Sequence, residues 1–147
     1  MDSSEFIGCL GKREDAPEVQ KLLRAVGVTK KLRMPKDDIE ARADLPKLGL
    51  SLIFEPEGPK SSVLIFQAAQ FYSDAEEGYK SFAGALPGGL TISDTQAEVR
   101  GKLGKPSETK VALRLDRWKK GDRVLTVEYT KGDSRISAIT VETPMKD

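Results

Sequence analysis

Arg123-Val124-Leu125-Thr126-Val127-Glu128-Tyr129-Thr130 is the stretch whose reading decides the fold. Leu125, Val127 and Tyr129 alternate with Thr126 and Glu128, the two-residue period of a strand with one face buried. Lys120-Gly121-Asp122 precedes it and Lys131-Gly132-Asp133 follows it, both short hairpin loops containing glycine. Strands are therefore expected on either side, from about Val111 to Trp118 and from Ser134 to Val141. Ile139 and Val141 extend the apolar row of the middle strand, so the three form an antiparallel meander with a common buried face.

Toward the N-terminus the meander is preceded by a helix. Thr95-Gln96-Ala97-Glu98 reads as a capping box, in which the threonine accepts from the third helical amide and the glutamate reaches back. Gly104-Lys105-Pro106 ends that helix because proline cannot continue the hydrogen-bond ladder. Leu86-Pro87-Gly88-Gly89-Leu90 ahead of it is a turn.

The first half echoes this arrangement. Phe6-Ile7-Gly8-Cys9-Leu10 and Phe82-Ala83-Gly84-Ala85-Leu86 share an F-x-G-x-L pattern, and Asp15-Ala16-Pro17-Glu18 reads as a second capping box. A helix follows from about Pro17 to Val26, with Val19, Leu22, Leu23 and Val26 on one face and Gly27 as its stop. Val19 and Leu23 match Val99 and Leu103 of the second helix. Thr29 to Lys47 is a long connection with room for one irregular strand. Leu48, Leu50, Leu52 and Phe54 then alternate as a half-buried strand ended by Pro56, Gly58 and Pro59. A second strand from Ser62 to about Tyr72 completes a hairpin with a loop of about seven residues. The expected fold is α+β, one domain over residues 1–147 made of two half-repeats, about 5–75 and 80–143.

A chain of 147 residues buries about two thirds of its unfolded surface, enough for a core without staples. The single cysteine, Cys9, forms no internal disulfide and sits in an apolar setting that suits a small buried side chain. The sequence contains no histidine, which removes the usual participant of Ser-His and Cys-His pairs and of most zinc sites. Gly88-Gly89 lacks the strand, spacing and lysine of a phosphate loop. No catalytic residue, metal or cofactor is expected. The 24 basic and 23 acidic residues balance to +1, which gives no general attraction to nucleic acid or an anionic membrane. Met1-Asp2-Ser3-Ser4-Glu5 is acidic where a secretory signal is basic and then apolar, so a cytoplasmic location is expected.

Gly89-Leu90-Thr91, Val99, Leu103-Gly104-Lys105-Pro106, Asp116-Arg117-Trp118, Leu125 to Tyr129 and Ile136 to Val141 together resemble a pattern of bacterial immunity proteins of polymorphic toxin systems. That resemblance implies a small cytosolic protein that binds and silences a cognate toxin and catalyses nothing. The helix, the LGxP stop and the meander are also similar to small SmpA/OmlA-type lipoproteins of outer-membrane barrel assembly. Neither the signal peptide nor the lipidated cysteine of that family is expected from Met1 to Glu5 and Cys9, so a structural or scaffolding module is kept as the second reading.

Two acidic groups are candidate partner surfaces: Asp37, Asp38, Glu40 and Asp44 in one segment, Asp74, Glu76 and Glu77 in another. Solvated surface charge is the ordinary role of such runs. Against a toxin nuclease, whose cleft must be basic, they could mimic phosphates and speed association. Arg117 and Trp118 belong to residue types enriched at interface hot spots, although core packing is the more expected role of the lone tryptophan, since aromatics also fill small α+β cores. As successive strand residues, Asp116 and Arg117 point to opposite faces. Phe71, Tyr72, Tyr79 and Phe82 are expected to cluster where the halves join.

Overall fold

A computed structural model describes residues 1–32, 34, 40–59 and 61–144. Among them, α1 (Ser3–Ile7), α2 (Pro17–Ala25) and α3 (Gln96–Leu103) accompany seven strands: β1 (Ala41–Leu45), β2 (Leu50–Pro56), β3 (Leu64–Tyr72), β4 (Glu108–Lys110), β5 (Leu115–Lys120), β6 (Arg123–Tyr129) and β7 (Ile136–Glu142). All strands join one antiparallel sheet in the order β1-β2-β3-β7-β6-β5-β4. The sheet is thus two meanders, of three and four strands, joined where β3 pairs with β7. The protein is a single α+β domain. No helix among the described residues is long and apolar enough to cross a membrane.

The alternation that predicted β6 holds. Leu125 and Val127 lie opposite Val141 and Ile139 of β7, and Phe71 and Ala69 of β3 carry the same face onward to Leu50 and Leu52 of β2. That face packs with Phe6 of α1, with Val19, Leu22 and Leu23 of α2, and with Val99 of α3 in one core. The β5–β6 loop is two residues, Gly121-Asp122, with Gly121 at φ 59°, the positive value that the first position of a tight hairpin turn requires. The β2–β3 hairpin has the expected long loop.

Several local expectations change. The side chain of Asp15 does not cap α2: its N-cap is Ala16, and Pro17 occupies the first turn, where a missing N–H costs nothing. The capping box at Thr95 is present, Thr95 Oγ1 accepting from the Glu98 amide at 3.2 Å and Glu98 Oε1 from the Thr95 amide at 3.0 Å. The two F-x-G-x-L copies adopt different structures, since Phe6 lies in α1 and Phe82 in irregular chain, so the sequence echo there is not a structural one. Leu48, expected to begin a strand, instead ends a 3₁₀ turn (Pro46–Leu48), and Val111–Leu113 form another in place of strand, which leaves Leu48 44% and Val111 83% exposed. The aromatic group divides. The Phe71 and Phe82 ring centres lie 4.8 Å apart on the core side, whereas Tyr72 and Tyr79 pair at 4.2 Å on the other face.

Gly49, at φ 65°, ends the first 3₁₀ turn where the chain Lys80-Ser81-Phe82 crosses directly over it. A side chain there would collide with the Lys80 carbonyl, so glycine is required both for the turn and for the crossing. This close approach carries Tyr79 onto Ser51, whose hydroxyl oxygen lies 3.2 Å from the tyrosine oxygen. Ser51 is buried as a result, and β2 is covered on both faces at that point.

Candidate functional site

The alternation that buries one face of the sheet presents the other. Ile53 and Glu55 of β2, Gln70 of β3, Thr140 and Glu142 of β7, Thr126 and Glu128 of β6 and Arg117 of β5 line a shallow basin of about 270 Å³ there, with Glu40 at its β1 end. Gln67, Ala68 and Leu115 complete its lining.

Arg42 and Arg117 of this face are already engaged. Arg42 donates from Nη1 to Glu40 at 3.1 Å, from Nε to Asp44 at 3.3 Å and from Nη2 to Gln70 at 3.0 Å. Asp44 also accepts from the Ser51 hydroxyl at 2.7 Å, and Gln70 accepts from Tyr72 at 2.7 Å and donates to Thr140 at 3.2 Å. Arg117 donates to Thr126 at 3.1 Å and to Glu108 at 3.2 Å. Glu55, Glu128 and Glu142, by contrast, have no cation within ion-pair distance among the described residues. Burial, then the charges of Glu40 and Glu142, push the Glu55 carboxyl above the ordinary glutamate range. Burial and the nearby Glu76 do the same for Glu128, against a smaller opposing pull from Arg117. The face holds carboxylates that would gain from an added positive charge.

The expected site residues divide accordingly. Asp37 and Asp38 lie outside the described residues. Glu40, Asp44 and Arg117 lie on the open face. Asp74 and Glu77 are exposed on the loop after β3, where Asp74 holds Arg135 at 2.7 Å, and Glu76 of the same loop acts on Glu128. Trp118 is not a surface anchor: it is 3% exposed on the core face, where its indole N–H donates to the Gly104 carbonyl at 3.2 Å. Glu55, Glu128 and Glu142 were missed by sequence reasoning, although each occupies the strand parity opposite the buried row.

On the core face, Asp116 is fully buried and anchors α3 to the sheet. Its Oδ2 accepts from Arg100 Nε and the Tyr129 hydroxyl, both at 2.9 Å, and from Gln96 at 3.3 Å. Its Oδ1 accepts from Arg100 Nη2 at 2.8 Å and Thr109 at 2.7 Å. Burial alone would raise this carboxyl, but the hydrogen bonds from Arg100, Thr109 and Tyr129 outweigh it and hold it below the ordinary aspartate range. A carboxylate so fully satisfied is fastened, not poised to exchange a proton. Cys9 is buried, and burial pushes its thiol upward, away from a reactive thiolate. Among the described residues no three acidic or cysteine side chains are placed to hold a metal ion.

Against known protein families, characterised proteins and solved structures, the chain shows no match.

Proposed function

We propose that this chain is a cytoplasmic immunity protein that binds a cognate bacterial toxin in a stoichiometric complex and silences it without catalysis. The observation that carries the reading is the open sheet face, on which Glu55, Glu128 and Glu142 stand without a cation among the described residues while Arg42 and Arg117 are already paired. A rigid acidic surface of this kind suits a basic partner, and a nuclease cleft is basic because it must hold phosphates. Glu40, Asp44 and the loop carrying Asp74, Glu76 and Glu77 extend the same charge around the face.

The test is recovery of the tagged protein from its native producer, identification of the partner, and assay of that partner alone and in the complex. A toxic partner, suppressed at a one-to-one ratio, supports the reading. Changing Glu55, Glu128 and Glu142 together to lysine should then slow association about tenfold or more and flatten its salt dependence. Recovery of envelope-assembly components would replace this reading with a scaffolding role. A toxin bound with unchanged kinetics by the triple variant would move the interface off this face.

We also read the two halves as related. Each meander opens with a strand, a 3₁₀ turn, one residue at positive φ and a second strand: β1, Pro46–Leu48, Gly49 at 65° and β2, then β4, Val111–Leu113, Arg114 at 51° and β5. Superposition of these corners with their flanking strands in a crystal structure tests this, and divergent backbone paths would end it.

A further inference from the structure

On the core face, the helices of the two halves do not close completely over the end of the sheet near the β5–β6 turn. They leave a cleft of about 170 Å³ between the end of α1, the Pro87 turn, the end of α3 and the sheet. Ile7, Pro87, Leu103, Trp118, Leu125 and Val141 form its walls, and Lys120 and Arg123 are its only charged members.

The register explains this composition. Trp118 pairs with Leu125 across β5 and β6, and two residues further toward the turn Lys120 pairs with Arg123 on the same face. An apolar floor is therefore followed directly by two cations side by side. Like charges directly opposite one another repel, and an anion between them would relieve that cost. Arg123 is partly occupied, with Asp122 at 3.1 Å and the Leu10 carbonyl at 3.3 Å. Lys120 has no acidic side chain within ion-pair distance among the described residues.

We propose that this cleft binds a small apolar carboxylate, its hydrocarbon body against Trp118, Leu125 and Val141 and its carboxylate between Lys120 and Arg123. Volume restricts the body. Sites for drug-sized ligands occupy about 300–1,000 Å³, whereas an apolar cavity of about 150 Å³ accommodates benzene. The fitting class is a single aromatic ring or a short aliphatic chain with one terminal acid. Because the cleft lies on the opposite side of the sheet from the acidic basin, this site stands or falls separately from the toxin-binding reading.

Trp118 is the only tryptophan and forms part of the wall, so its emission reports occupancy without a label. Phenylacetate titrated into the full chain should change that emission saturably and bind about fivefold tighter than phenylacetamide, which has the same shape and no charge. Lys120→Gln should reduce that preference to about twofold or less. Leu125→Phe should abolish binding of both by filling the cleft, with Leu103→Phe on α3 as the alternative if the first variant does not fold. Amide shifts of Leu103, Leu125 and Val141 in the same titration locate the ligand. No saturable response, equal affinity for acid and amide, or shifts confined to another region would each overturn the proposal.

Discussion

Arg100 of α3 and Asp116 of β5 form a two-point contact, Nε to Oδ2 at 2.9 Å and Nη2 to Oδ1 at 2.8 Å, which ties α3 to the sheet through a carboxylate with no exposed surface. Arg100→Ala leaves that carboxylate buried with only Thr109, Tyr129 and Gln96 as donors. Breaking a fully buried pair costs about 3–5 kcal/mol, and the 40% exposure of the Arg100 side chain lowers the expected loss to about 2–4 kcal/mol. Urea unfolding measures it. A loss under about 0.5 kcal/mol would show that the remaining donors suffice.

The same carboxylate sets an acid limit on stability. Asp116 and Asp94 are both held below the ordinary aspartate range, Asp94 against the effect of its own burial by hydrogen bonds from Lys102 and Thr91. Between the folded and ordinary values the unfolded chain binds more protons. Their contribution is therefore complete above the ordinary aspartate value and lost as pH falls through the folded ones. Denaturation midpoints followed from pH 6 downward should fall, and fall less in Asp116→Asn.

Glu128 has the opposite sign. Its carboxyl is raised, so over the range just above the ordinary glutamate value the folded chain binds more protons and stability declines as pH increases. Glu128→Gln should raise the melting temperature at pH 7 by about 1–3 °C, with the gain shrinking as the solution is acidified. The same variant should weaken toxin binding under the reading above. An unchanged melting temperature at pH 7 would show that the carboxylate is better solvated than its surroundings imply.

Two positions at positive φ should respond oppositely. Arg114, at φ 51°, is an exposed residue in a conformation that favours glycine, and Arg114→Gly should be stabilising or neutral, up to about 1 kcal/mol. Gly49→Ala should destabilise by about 2 kcal/mol or more, because the new methyl meets the backbone at Lys80 and Phe82 as well as the unfavourable φ. Thermal melts of both variants give the comparison. A tolerated Gly49→Ala would mean that the crossing segment shifts freely.

Cys9 should react slowly with a thiol reagent in the folded protein and at the rate of a free thiol after unfolding in urea, since it is buried and its thiol is pushed up by that burial. Rapid modification under native conditions would indicate that the turn after α1 opens.

The sequence determined what depends on neighbours along the chain. The two-residue alternation of Leu125, Val127 and Tyr129 settled which residues of β6 face inward, and the capping residues at Thr95 and Glu98 set the start of α3. It also settled that Asp116 and Arg117 diverge, because parity within a strand is a covalent property of the backbone. It missed the 3₁₀ turn at Val111–Leu113, because an apolar run next to a strand gives no local signal for a break. What only the tertiary structure decided was pairing between distant segments. The joining of β3 to β7 brings Glu55 and Glu142 onto one face from widely separated parts of the chain, and the order of strands brings Glu128 beside them. Core packing is already the favoured reading of a lone tryptophan, and the tertiary structure supplied the partners of Trp118, the Gly104 carbonyl and Leu125. The charge of each residue is written in the sequence, but whether that charge meets a partner depends on which strand lies next to it.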